Sequence, residues 1–85
     1  MSIHLPSPPA TISLSALTPG QGGVVRGLHA VDGFAYRLAA LGFRVGRSVT
    51  VIRCAPLGGP IQIRLGTTDV MLRRTEADRI DISPI

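Results

Sequence analysis

Short apolar runs separated by glycine- and proline-rich turns dominate the chain, and this pattern predicts strands rather than long helices. The clearest run is 61–65, Ile-Gln-Ile-Arg-Leu, in which apolar and polar residues alternate as they do in a half-buried strand. Its three apolar residues should face the core. The run at 48–55 breaks its alternation at Val51-Ile52, which indicates a β-bulge. Strands are therefore predicted at Val24–His29, Ser48–Ala55, Ile61–Leu65, Asp69–Leu72 and Ile80–Ile82.

One segment, ending just before Gly42, has the period of a helix. At about 100° per residue its apolar residues Phe34, Leu38 and Leu41 fall within roughly 60° of one another and form one face. Gly42 is placed to end the helix in a left-handed conformation. Asp32 is placed to accept hydrogen bonds from the first backbone amides. A helix is therefore predicted over Gly33–Leu41.

These elements predict a mainly β fold of about five short strands, with one short α-helix after the first strand. The spacing of Thr75 and Asp78 resembles a capping box, which adds a short C-terminal helical turn. Parallel crossovers would need more chain than lies between the strands, so we expect a small closed or nearly closed barrel. The 85 residues fit one core. Residues 1–12, with three prolines and little to bury, are predicted to be a flexible lead-in to a domain over 13–85.

The charged residues limit the classes of partner. Nine arginines and no lysine stand against five acidic residues, and the resulting formal charge of +4 permits an acidic partner. Proteins dedicated to nucleic acids usually cluster their basic residues and add exposed aromatics. Here the arginines are scattered from Arg26 to Arg79, and the aromatics are only Phe34, Tyr36 and Phe43. No nucleic-acid partner is therefore expected.

The sequence gives no indication of export or of membrane insertion. It opens without a basic region followed by an apolar run, and its single cysteine, Cys54, cannot form an internal disulfide. The uncharged stretch 5–25 is long enough to span a bilayer, but prolines and glycines interrupt it. We expect a cytoplasmic protein.

Candidate residues for chemistry are few. His4, His29 and Cys54 lack the paired close spacings of a structural zinc site, so neither a metal within the chain nor a cofactor is expected. A metal site between molecules is left open. A lone cysteine in a strand usually packs as a small apolar residue. The glycines at 20–23 lack the lysine and hydroxyl residue of a phosphate-binding loop, and no enzyme activity is expected.

A surface for a protein partner is the remaining possibility. The helix side opposite the apolar face combines an aromatic, a basic and two small residues, which suits protein docking. The loop Pro56–Pro60 is stiffened by proline at both ends and could present an apolar residue nearby. The alternative is that the barrel or this loop covers these positions, or that they are ordinary tolerated surface. The candidate partner-binding residues are Tyr36, Arg37, Ala39, Ala40 and Leu57.

Four short motifs follow one another along the chain. They are LSALTPG at 14–20, RLAALG at 37–42 followed by VG at 45–46, APLGGP at 55–60, and LRRTEAD at 72–78. In this order and spacing, over about residues 13–82, they resemble FeoA-domain proteins, the small cytoplasmic components of bacterial ferrous iron uptake. The resemblance implies an SH3-like barrel with a helix inserted after the first strand.

The resemblance also implies a function. FeoA proteins are thought to act without catalysis of their own, together with FeoB, a membrane iron transporter that carries a cytoplasmic G-protein region. The chain is thus expected to be an accessory or regulatory protein that binds the cytoplasmic part of FeoB and reaches the membrane only through that partner. The resemblance assigns no docking residues to it.

An alternative function is a nucleic-acid-binding or regulatory module. Barrels of this kind also occur as C-terminal domains of metal-dependent repressors, so the resemblance of a domain does not settle the biology. No helix-turn-helix unit fits in this chain. Self-association is left open.

Overall fold

The computed structural model describes residues 11–85 as one antiparallel sheet with two short α-helices. The predicted mainly β fold, its main helix and its C-terminal helical turn are confirmed. Of the predicted lead-in, residues 1–10 lie outside the described residues, and Ile12 belongs to a strand. The elements in chain order are β1 (Ile12–Ser13), a 3-10 turn (Leu14–Ala16), β2 (Gly22–Leu28), α1 (Asp32–Leu41), β3 (Ser48–Cys54), β4 (Ile61–Leu65), β5 (Thr68–Leu72), α2 (Arg74–Ala77) and β6 (Ile80–Pro84).

The strands form one sheet in the order β1-β6-β2-β3-β4-β5, and every neighbouring pair is antiparallel. The sheet has six strands where about five were predicted, so α1 follows the second strand rather than the first. The missed strand is β1, in which Ile12 pairs with Ile82 and Ser13 with Asp81. Two residues have no periodicity to detect, and β1 is a strand only because distant β6 pairs with it.

The core is formed mainly by inward-facing residues of the strands, and α1 contributes Leu38 to it. The three apolar residues of β4 are at most 1% exposed, as their alternation predicted. Full burial of a branched aliphatic side chain contributes about 1.5–3 kcal/mol, so this small set accounts for much of the stability. The buried apolar residues are Leu14, Leu17, Val25, Leu38, Phe43, Val49, Val51, Ile61, Ile63, Leu65, Val70, Leu72, Ala77, Ile80 and Ile82.

Glycine at the start of β2 allows β6 to approach closely. The strand begins at Gly22, two residues before its predicted start at Val24. A Cβ atom built on Gly23 would overlap the Cγ2 atom of Ile82 and the carbonyl oxygen of Ser83. Any side chain at Gly23 would therefore push the two strands apart.

The sheet contains the bulge that the sequence predicted. Val51 of β3 pairs with Ile63, but Arg53 pairs with Gln62, so Ile52 is the extra residue. A second register shift lies between β2 and β6. Bulges of this kind increase the local twist and bend the sheet.

The two faces of α1 are those that the sequence predicted. Leu38 is 1% exposed, and Phe34 and Leu41 are partly buried against the core. Gly42 ends the helix with a φ of 99°, and its N–H donates to the carbonyl of Ala39. The predicted left-handed cap is therefore confirmed.

The predicted helix cap at Asp32 is wrong. The capping position is Val31, whose backbone is extended, and no side chain caps the helix. Asp32 is the first helical residue and has a φ of 54°. A capping side chain needs an extended backbone at its own residue, and Asp32 lacks one.

The predicted capping box of α2 is also displaced. The helical turn is present, but Arg73 has the extended backbone of the capping position, and its N–H donates to Oε1 of Glu76 at 2.9 Å. Thr75 lies inside the helix. Asp78 instead accepts a hydrogen bond from the hydroxyl of Ser15, which ties α2 to the 3-10 turn.

Candidate functional site

The outer side of α1 is open to solvent. Tyr36 is 83% exposed, and Arg37, Ala39 and Ala40 are exposed as well. Neither the sheet nor the loop between β3 and β4 covers these four residues in the part of the chain that the structure describes. Their outward position is confirmed, and their role in binding stays a prediction.

Arg37 is joined to α2 by an ion pair with Glu76. The Arg37 side chain is 48% exposed, whereas that of Glu76 is 14% exposed. Glu76 also accepts the hydrogen bond from the Arg73 amide, so its carboxylate contacts both α1 and the residue that precedes α2. Arg37 therefore has a partner within the chain, which its place on the helix alone did not indicate.

The β3–β4 loop (Pro56–Pro60) is a tight turn with Leu57 at its tip. The N–H of Gly59 donates to the carbonyl of Pro56 at 3.2 Å, and the two central residues, Leu57 and Gly58, have φ angles of 59° and 72°. Two successive left-handed residues are characteristic of a type I′ turn. This conformation costs an ordinary L-residue about 1–2 kcal/mol, and the Leu57 side chain is fully exposed.

The short helix α2 lies between α1 and the β3–β4 loop. A depression of about 330 Å³ is lined by residues 58–60 of the loop and by residues 73–75. A second depression, of about 230 Å³, is lined by Phe34 of α1 and by Thr75, Glu76 and Arg79. Thr75 of α2 lines both depressions. The predicted binding residues on α1 and on the loop therefore lie on either side of α2 and do not line a common pocket.

Three arginines flank the loop. Arg73 and Arg74 line the larger depression with residues 58–60 of the loop. Arg53 lines a separate depression, to which Pro56 and Met71 also contribute. The sequence analysis did not assign these arginines to the site, although the Arg73-Arg74 doublet at the end of β5 was an available signal.

An exposed ion pair between Arg64 of β4 and Asp69 of β5 shifts the pKa of both side chains. Arg64 donates from Nε to Oδ1 of Asp69 at 2.7 Å and from Nη2 to Oδ2 at 3.1 Å. These hydrogen bonds from Arg64 lower the pKa of Asp69, to which the amide of Gln62 contributes as well. The same pair raises the pKa of Arg64.

The candidate metal ligands lie apart. His29 Nε2 is 2.6 Å from Oδ2 of Asp81, and Cys54 packs against the core as predicted. His4 lies outside the described residues. Within residues 11–85, no three His, Cys, Asp or Glu side chains come close enough together to hold a metal ion. No helix in the same range is long and apolar enough to cross a membrane.

Known proteins share this fold and part of the sequence. A relative described as a fusion of Fe(2+) transport protein A with Fe(2+) transporter FeoB, from Porphyromonas gingivalis strain W83, is 35% identical over 72 residues. The match covers 85% of this chain and 8% of the fusion protein, so the chain spans a small part of that relative.

Solved structures extend the likeness. The zinc complex of Stenotrophomonas maltophilia FeoA, described as a prokaryotic SH3-domain protein, is 34% identical with a TM-score of 0.71. That match covers 87% of this chain and 95% of the other. A manganese-dependent transcriptional repressor has a TM-score of 0.82 at 23% identity, over 95% of this chain and 45% of its own, which shows the fold alone.

The family follows from the extent of the match. The model of the FeoA domain matches residues 12–84, which is nearly the whole of the described chain. The matched region includes all six strands and both helices. The chain therefore belongs to the FeoA-domain family, as its four motifs predicted.

Proposed function

We propose that this chain is a non-catalytic, cytoplasmic accessory of ferrous iron uptake that binds the cytoplasmic part of a FeoB-type transporter. The observation that carries the proposal is the relative in which Fe(2+) transport protein A and FeoB are joined in one polypeptide. Covalent linkage raises the effective concentration of one module near the other, which is useful where the two act together. The transporter part of the fusion has no counterpart within these 85 residues.

The docking surface that we propose is the outer side of α1 together with the tip of the β3–β4 loop. The helix contributes an exposed tyrosine and two exposed alanines, beside which another backbone can approach closely. The loop contributes an exposed leucine. The proposed contact residues are Tyr36, Arg37, Ala39, Ala40 and Leu57.

A binding titration with two matched variants tests the helix part of this surface. Ala39→Glu places a bulky charge on the outer side of α1, and Thr67→Glu places the same charge in the exposed loop between β4 and β5. We expect unaltered protein and Thr67→Glu to bind the purified cytoplasmic part of the transporter alike. Ala39→Glu should keep its melting temperature and lose binding.

Two results would count against this proposal in different ways. If unaltered protein does not bind the transporter, the partner is wrong. If Ala39→Glu binds as well as Thr67→Glu does, the partner is right but docks elsewhere.

The alternative, a nucleic-acid-binding or regulatory module, rests on a fold shared with a repressor. Phosphate contacts weaken steeply with salt, so a titration with single- and double-stranded DNA over a salt series distinguishes the two functions. We expect no saturable binding at physiological salt. Sequence-dependent binding that survives this salt would favour the alternative.

A further inference from the structure

The tip of the β3–β4 loop holds a leucine where the backbone disfavours it. Leu57 is the first of the two left-handed residues of the type I′ turn, a position that asparagine, aspartate and glycine prefer. Its side chain is fully exposed, so no burial against residues 11–85 offsets the unfavourable backbone. Strain of this kind persists at binding sites, and an observed outlier is a reason to look for a function.

Three arginines beside this loop form what we call the arginine collar: Arg53, Arg73 and Arg74. Arg53 lines one depression with Pro56 and Pro60, and the other two line a separate depression with residues 58–60. None of the three forms an ion pair with another residue of the described range 11–85. The loop that carries the exposed leucine therefore has three arginines beside it that no carboxylate of the described residues pairs with.

We infer that the partner presents an apolar pocket for Leu57, bordered by aspartate or glutamate side chains that pair with the arginine collar. This inference rests on the proposed function, since the partner meant is the cytoplasmic part of the transporter. A leucine anchor in a closed pocket supplies apolar burial, and planar guanidinium groups pair with carboxylates through two hydrogen bonds. Complementary charge around the anchor also speeds association.

A second copy of this chain does not fit that description. Four of its five acidic residues already have partners within the chain: Asp69 with Arg64, Glu76 with Arg37, Asp78 with Ser15 and Asp81 with His29. Among residues 11–85, Asp32 is the only aspartate or glutamate side chain without such a contact. One carboxylate cannot border a pocket opposite three arginines, so the collar favours a different and more acidic partner.

Leu57→Asn tests the anchor in a way that separates binding from folding. Asparagine followed by Gly58 is the preferred pair for a type I′ turn, so the melting temperature should stay the same or rise. Affinity for the purified cytoplasmic part of the transporter should fall by at least about tenfold, as expected for a central anchor. A residue with only a structural role would show the opposite pattern, with a lower melting temperature and unchanged affinity.

Arg74→Glu tests the collar, and Arg26→Glu is the matched control. Arg26 is exposed and has no ion-pair partner within residues 11–85. It lies on β2 past the pair Val24–Ser48, at the start of β3, whereas the β3–β4 loop follows the end of β3. Arg74→Glu should weaken binding and reduce its dependence on salt between about 50 and 200 mM. Arg26→Glu should change neither quantity appreciably.

The outcomes separate this inference from the proposed function. If unaltered protein does not bind the transporter, both are overturned. If it binds, and Leu57→Asn and Arg74→Glu bind equally well, the loop surface is wrong while the partner stands. If Leu57→Asn instead abolishes a dimer of this chain, the occupant of the tip is a second copy and the acidic partner is refuted.

Discussion

Arg37 of α1 and Glu76 of α2 form an ion pair that joins the two helices of the domain. The same carboxylate accepts a hydrogen bond from the backbone amide of Arg73, at the junction of β5 and α2. One side chain thus connects the exposed helix face to the start of α2, where Arg73 and Arg74 line the depression beside the β3–β4 loop. Glu76 therefore links the two helices next to the proposed docking surface.

Removal of Glu76 should cost more stability than removal of Arg37. Arg37→Ala removes a half-exposed ion pair, which contributes about 0.2–1 kcal/mol. Glu76→Ala also removes the hydrogen bond at the start of α2, so its cost should reach about 1–2 kcal/mol. Denaturant unfolding of both single variants and the double variant measures this. A double variant whose cost equals the sum of the two single costs would show that the ion pair contributes nothing.

Truncation of Leu38 should destabilise the domain strongly. Leu38→Ala leaves a cavity in the core at a position that is 1% exposed, and such changes cost about 2–5 kcal/mol. The free energy of unfolding of the whole domain is expected to be about 4–13 kcal/mol, so this loss brings the variant close to unfolding. Tyr36→Ala, on the exposed side of the same helix, should stay within about 0.5 kcal/mol in the same measurement. Equal effects of the two changes would contradict the arrangement of α1.

Two glycine-to-alanine changes should alter the free energy of unfolding in opposite directions. In Gly23→Ala the new methyl group meets Ile82 and the backbone of Ser83, and we expect a loss of about 1–3 kcal/mol. In Gly33→Ala the methyl group meets nothing within 4 Å, in a helix where alanine is preferred. That change should stabilise by about 0.4–1 kcal/mol. Thermal melting of the pair distinguishes close strand packing from a general intolerance of alanine.

Acid should weaken the domain partly through Asp69. The folded-state pKa of Asp69 lies below its usual value because Arg64 donates hydrogen bonds to it. The contribution of Asp69 to the free energy of unfolding is therefore present above the unfolded-state pKa of about 3.9. It is lost as the pH falls through that value toward the lower folded-state pKa. The free energy of unfolding of Asp69→Asn should fall less steeply between about pH 5 and pH 2 than that of the unaltered protein. Parallel curves would show that the pair has no effect on folding.

The purified protein should bind divalent metals only weakly and hydrolyse no nucleotide. His29 and Asp81 provide two adjacent ligands, and a stable site for Zn²⁺ usually needs four donors. Calorimetric titration with Zn²⁺, and with Fe²⁺ under anaerobic conditions, measures the affinity, and His29→Ala shows whether this pair is used. A stoichiometric submicromolar site in the monomer would refute the prediction.

Local patterns were sufficient for much of the fold. The alternation in β4, the bulge at Ile52, the apolar face around Leu38 and the left-handed Gly42 each depend on residues that are neighbours in sequence. The outward position of Tyr36 follows from the same helical geometry. A short motif or period can encode such features because the forces that select them act within a few residues.

The candidate site was predicted less completely than the fold. Leu57 was chosen for its place between two prolines, and its left-handed backbone could not be read from its side chain. The flanking arginines were missed because they come from β3 and from the start of α2, which approach the loop only in the folded chain. Arg37 was placed correctly on α1, but its partner Glu76 is far away in sequence.

The amino-acid sequence was sufficient to predict the class of fold, the positions of most strands, the two faces of α1 and membership of the FeoA-domain family. The folded structure was needed for the pairing of β1, the N-terminal caps of both helices, the ion pair of Arg37 and the arginines beside the β3–β4 loop. The physical reason is the range of the interactions. Hydrophobic periodicity and glycine conformation act locally, whereas strand pairing and the Arg37–Glu76 ion pair depend on which distant residues the fold brings together. The N-terminal caps are local too, but they depend on the backbone conformation of single residues, which the side chains of Asp32 and Thr75 did not reveal.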